Sequence, residues 1–129
     1  MSYTLDRNFP ASSFDDVVAR TRKALADQGF GVLTEIDVKS TLKKKKIGAE
    51  VDDYLILGAC NPGMAHQAMQ LEPRIGAMLP CNVILRKVDD GVEVSAVDPV
   101  ASMTAVENDD LKTVARDVRA QLSKAVDAI

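Results

Sequence analysis

Tyr3, Leu5, Arg7 and Phe9 alternate with Thr4, Asp6 and Asn8, and Pro10 closes the run. A two-residue period puts one set on each face of a half-buried strand, and proline cannot continue the ladder. From Phe14 the period changes. Phe14, Val17, Val18, Thr21, Ala24 and Leu25 fall on one helical stripe. Ser12 or Ser13 is placed to cap that helix, Asp15 and Asp16 suit its dipole, and Gln28-Gly29 ends it. Phe30–Val38 reads as a second strand, amphipathic toward its end. Ser40–Gly48 reads as a short helix closed by Gly48. Its four successive lysines, Lys43 to Lys46, span more than one turn and cannot all face one partner, so a solvated helix is expected, with a local anion-binding edge as the alternative.

Tyr54–Ala59 is a short apolar run, which predicts a central strand buried on both faces. In Cys60-Asn61-Pro62-Gly63, Asn61 suits an N-cap and Pro62 the first helical position. The helix should run to about Glu72, because Pro73 disfavours the α conformation before it. Ala65, Ala68 and Glu72 share one face of it, and Pro62, His66, Met69 and Gln70 another. Pro73–Pro80 reads as a loop carrying the exposed-looking apolars Ile75, Met78 and Leu79. Val83–Val88 and Val92–Val97 read as a hairpin with Asp90-Gly91 as a type I′ turn. Asp98-Pro99 ends its second arm, and Val100–Glu107 reads as irregular. Asn108 or Asp109 opens a last helix with Leu111, Val114, Ala115, Val118, Leu122, Ala125 and Ile129 on one side.

The element order is β-α-β-α-β-α-β-β-α. It predicts an α+β two-layer sandwich in which helices cover one mixed, roughly five-stranded sheet. A hairpin excludes an all-parallel sheet. The 129 residues are expected to form a single domain, 1–129. A net charge of -3 argues against a nucleic-acid partner, and an aromatic content of 4% leaves few stacking platforms. No apolar run reaches the ~18 residues of a membrane span. The first residues lack the pattern of a signal peptide, so a cytoplasmic location is expected, where a structural disulfide is disfavoured.

Chemistry concentrates between Tyr54 and Val83, which holds both cysteines and the one histidine. Cys60 lies at the predicted mouth of a helix N-terminus, where the dipole favours a thiolate. Cys81 precedes the next strand. If these two strands pair antiparallel, both thiols come to one end of the sheet. The plainer reading is two small buried hydrophobes. His66 could complete a Cys₂His metal set with Cys60 and Cys81, but the side of a helix aims it poorly. Met64, Met69, Met78 and Met103 could be soft copper(I) ligands beside the thiols, although filling of the core is their expected role. No nucleotide loop, nucleophile elbow or hydrolytic triad is visible, and no cofactor is expected.

Leu57-Gly58-Ala59-Cys60-Asn61-Pro62, Glu72-Pro73, Ile75-Gly76 and Leu79-Pro80-Cys81-Asn82-Val83, with Gly29-Phe30-Gly31-Val32 upstream and Asp98-Pro99 downstream, resemble the bacterial and archaeal family called domain of unknown function 302. The likeness spans nearly the whole chain. It implies a compact α+β domain, often dimeric, with no established activity. The expected function is a homodimeric binding module for a small molecule or a protein, its pocket lined by Cys60, Asn61, Pro62, Pro80, Cys81 and Asn82. Two alternatives stand beside it. One is redox, sulfur-transfer or metal chemistry at Cys60 and Cys81. The other is a structural interaction domain that docks through the loop around Ile75.

Overall fold

Strands Thr4–Phe9 (β1), Gly31–Asp37 (β2), Tyr54–Cys60 (β3), Cys81–Val88 (β4) and Gly91–Val97 (β5) form one sheet. Their spatial order is β1-β5-β4-β3-β2, and every neighbouring pair is antiparallel. The structure is a computed structural model that describes residues 2–45 and 50–129. Lys46 and the predicted closing residue Gly48 therefore lie outside the described residues. The expected mixed sheet is corrected to an antiparallel one. β1 and β2 do run in the same direction, but they occupy opposite edges with three strands between them.

Helix Phe14–Asp27 (α1) makes the crossover from β1 to β2. Ser13 caps it by accepting from the Asp16 N–H, and Gly29 follows at φ 83°. Val38–Lys44 (α2) follows β2 directly and starts two residues before the expected Ser40, because the Asp37 side chain caps it by accepting from the Ser40 N–H. Pro62–Leu71 (α3) begins where the sequence places it, with Asn61 accepting from the Met64 N–H. Asp109–Ala128 (α5) is capped by Asn108 and runs beside α1. Its buried residues include Leu111, Val114, Ala115, Leu122 and Ala125, all on the predicted stripe.

α1 and α5 lie on one face of the sheet. There Leu57, Val83, Leu85, Val94 and Ala96 alternate inward and meet Val17, Leu25 and Leu122. Burying a side chain of this size contributes roughly 1.5–3 kcal/mol. A second cluster joins Ala68, Ile75, Met103, Leu111 and Val114 between α3 and α5. The opposite sheet face is turned away from α1 and α5. Thus β3 is not buried on both faces: Leu55, Leu57 and Ala59 enter the core, whereas Tyr54 and Ile56 are half-buried on the open side. β3 is an interior strand as expected, flanked by β4 and β2.

Three local expectations are corrected. Val88 pairs with Gly91, so the hairpin turn is Asp89-Asp90, and of these only Asp89 has positive φ (44°). Gly91 is a strand residue, kept small because a Cβ there would approach the Phe9 carbonyl oxygen to 2.5 Å. Pro73–Met78 is a 3₁₀ helix, not an open loop. Its start is capped by Glu72 and its Ile75 is 1% exposed. Part of the expected irregular connection is a short helix, Pro99–Ser102 (α4). Asp98 caps it through the Val100 and Ala101 N–H groups and also accepts from Arg119 Nε at 3.0 Å.

Candidate functional site

β3 and β4 are joined through α3 and the 3₁₀ helix, which return the chain to the end of the sheet it left. Ala59 is the cross-strand partner of Cys81, so Cys60 and Cys81 lie at the same end. The antiparallel arrangement expected for these two strands is the observed one. Both cysteines are free. They line a cavity of about 30 Å³ where the two apolar clusters meet, together with Phe30, Met64, Leu79 and Met103. Cys60 and Met64 are half-buried, and Cys81 and Met103 are each 6% exposed.

The environment is apolar and its electrostatic effect is plain. Burial, and then the neighbouring Cys60, push the Cys81 thiol up to about 11. At neutral pH Cys81 is a neutral thiol, the unreactive form for nucleophilic or exchange chemistry. No acidic, basic or histidine side chain lines the cavity among the described residues, so it holds no general acid or base. Its size also decides something. Pockets for drug-sized ligands span about 300–1,000 Å³. This one has room for a single atom or a very small group.

The six expected pocket residues separate. Cys60, Asn61 and Cys81 line the cavity, and Pro62, Pro80 and Asn82 do not. Asn61 spends its side-chain oxygen on the α3 cap, and Pro62 is the exposed first residue of that helix. Pro80, after a cis peptide bond, lies against Gly58, where an added Cβ would come 2.7 Å from its Cγ. Asn82 is exposed on the open sheet face. His66 is exposed with Pro62, Met69 and Gln70, the face that helical spacing assigns them, and does not line the cavity. Among the described residues no group of three or more His, Cys, Asp or Glu side chains could hold a metal ion. Ile75, expected on an exposed docking loop, is core. Met64 and Met103 are the cavity residues that sequence spacing did not bring together, since Met103 arrives from beyond β5.

A second feature is the open sheet face. One cross-strand row reads Ile36, Ile56, Ile84, Ser95 and Asp6. The next reads Tyr54, Arg86, Glu93 and Asn8. Arg86 Nε meets Glu93 Oε1 at 2.8 Å. A depression of about 600 Å³ on this face is lined by Tyr3, Tyr54, Asn82, Ile84 and Ser95, among others. Tyr3, which its parity groups with the core side, precedes β1 and is 73% exposed.

The model of the family described as "Domain of unknown function DUF302" matches residues 6–129. The chain belongs to this family. The crystal structure of an uncharacterized conserved DUF302 protein from Bacillus stearothermophilus is similar to it with a TM-score of 0.92 at 21% identity, covering 99% of this chain and 98% of that one. The two share the DUF302 fold. No curated protein sequence matches this chain significantly. The residues that carry the DUF302 likeness have visible structural duties. Gly58 admits Pro80 and Thr34, Asn61 and Pro62 start α3, Glu72 and Pro73 start the 3₁₀ helix, and Ile75 anchors it. No helix among the described residues is long and apolar enough to cross a membrane.

Proposed function

We propose that this DUF302 chain is a homodimeric binding module whose two copies meet through the open sheet face and hold a small molecule between them. The observation that carries the reading is the row Ile36, Ile56 and Ile84 on the face turned away from α1 and α5. Apolar side chains side by side on such a face need a partner. Five strands ~4.8 Å apart and about seven residues long give a flat area of roughly 550 Å² per copy. Two such faces exceed the ~1,000 Å² that a specific interface requires. The charges are compatible with a second copy, because Arg86 and Glu93 neutralise each other within the face and its other charge, Asp6, stands on the edge strand β1. Closing two sheets face to face would enclose the depression of about 600 Å³, a volume within the range of small-molecule sites. The same reading places the protein in the cytoplasm, where free thiols persist.

Light scattering on a sizing column at tens of micromolar tests this. A dimer is expected, and Ile56→Asp or Ile84→Lys, each verified as folded by circular dichroism, should run as a monomer. Leu33→Asp, at the irregularity in edge strand β2, should stay dimeric. A monomeric parent protein overturns the proposal, as does a dimer lost only in Leu33→Asp.

A further inference from the structure

Both cysteines of the chain and two of its five methionines meet around an apolar cavity between β3, β4, α3 and α5. Core packing alone gives no reason for this sharing. Met69 and Met78 are exposed elsewhere on the surface, at 43% and 42%. The four sulfur side chains come from four places in the fold. Cys60 ends β3, Met64 stands in the first turn of α3, Cys81 begins β4, and Met103 follows α4. We propose that this cavity is a binding site for a single soft monovalent metal ion, copper(I), held by the Cys60 and Cys81 sulfurs with thioether support from Met64 and Met103.

The chemistry of the wall selects the ion. Thiolate and thioether donors favour copper(I), whereas calcium and magnesium require oxygen donors. The one side-chain oxygen at the cavity, that of Asn61, is already accepting from the Met64 N–H at 3.3 Å. Zinc is disfavoured for a different reason. It takes four nitrogen, oxygen or thiolate ligands, and only two thiols are present here. A volume of about 30 Å³ accommodates a bare ion and excludes an organic ligand. Apolar surroundings keep competing water away. Burial also gives the site a direction: half-buried Cys60 and Met64 form the mouth, and Cys81 and Met103 form the floor. A metal ion arriving from solvent meets Cys60 first and then moves inward. Each thiol that coordinates loses its proton to solvent, so one copper(I) bound by two thiolates releases two protons with no change of oxidation state. This site is separate from the sheet face, and the dimer reading stands or falls without it.

The test is an anaerobic titration of the purified protein with copper(I) supplied as a chromogenic chelator complex. One copper(I) per chain is expected, with X-ray absorption reporting sulfur neighbours only. Cys60→Ser and Cys81→Ala should each weaken binding by more than the roughly 10–100-fold that loss of a supporting residue costs a metal site. Met64→Leu and Met103→Leu should weaken it by about tenfold. His66→Ala and Met69→Leu should bind as the parent does. Circular dichroism of each metal-free variant separates lost binding from lost folding, and Cys81→Ala keeps the floor small and apolar where serine would add a buried hydroxyl. Failure to take copper(I) from the chelator overturns the proposal. So does one ion per two chains, which would mean a bridge between exposed thiols, or binding that persists in Cys81→Ala.

Discussion

Gly58 carries a sharp residue-scale constraint. It pairs with Thr34 on one side and Asn82 on the other. A Cβ at this position would overlap the Thr34 hydroxyl and come 2.7 Å from Pro80 Cγ. The threonine could rotate away, but the proline ring is rigid and held by its own chain. Overpacking of this kind costs about 1–3 kcal/mol. Gly58→Ala should therefore lower stability by about 2–3 kcal/mol in denaturant unfolding. Gly76→Ala is the control, since nothing lies within 4 Å of its added Cβ, and it should change stability by less than about 0.5 kcal/mol. Equal effects of the two substitutions would show that contact at Gly58 is relieved by local movement. Gly91 is constrained in the same way, by Phe9 and Pro10. Neither glycine could be read from its neighbours in sequence, because what fills the missing side-chain volume comes from another strand.

At the scale of elements, three of the helix starts were legible and the strand surroundings were not. Ser13, Asn61 and Asn108 cap the helices that the sequence assigns them, because capping is a contact between residues three apart. Asn108 does more than cap. Its Oδ1 accepts from the Leu111 N–H at 3.0 Å, and its Nδ2 donates to the Leu71 carbonyl at 3.1 Å, one of the carbonyls left free at the end of α3. One side chain thus closes one helix and opens another. Asn108→Ala should cost about 2 kcal/mol, roughly 1 for the cap and 1 for the bridge. Asn108→Asp keeps the acceptor and loses the donor, so it should fall between the parent and the alanine variant. Asn61→Ala, a cap alone, should cost about 1 kcal/mol. Chemical unfolding of the three variants gives the order, and an aspartate variant as stable as the parent would remove the bridge from the account. The short helix α4 and the 3₁₀ helix escaped the sequence reading. Each begins with a proline after an acidic cap, Asp98-Pro99 and Glu72-Pro73, a signal that reads equally well as a turn.

Across the whole molecule, the alternation of apolar positions was enough to give strand number, the four longer α-helices and the α+β class. It could not give strand order, which depends on where α1 carries the chain after β1. The same limit hid the candidate sites. Proximity of Cys60 and Cys81 could be argued from adjacent strands, but Met103 joins them only through the packing of α4 and α5. Arg7 shows such a long-range link most directly. Its parity places a charged residue among Leu5 and Phe9, on the core side of β1. There the guanidinium lies 4.8 Å from the Phe9 ring centroid and donates to the carbonyls of Val126, Asp127 and Ile129 at 3.0, 2.8 and 3.1 Å. The last turn of α5 carries no basic residue of its own. Its free carbonyls are satisfied, and its dipole opposed, by a cation from the other end of the sequence. Arg7→Met keeps the apolar stem and removes the donors and the charge. It should cost roughly 1–3 kcal/mol, the scale of hydrogen bonds to a charged group. Hydrogen exchange should accelerate in the last turn of α5 while β4 and β5 stay protected. All three carbonyls are reached by the one nitrogen Nη1, so Arg7→Lys, which keeps the charge and three donors on one nitrogen but is shorter and loses the stacked guanidinium plane, should recover part of the loss. An Arg7→Met protein with unchanged stability and unchanged exchange near Val126 would show that α5 holds its end without help from β1.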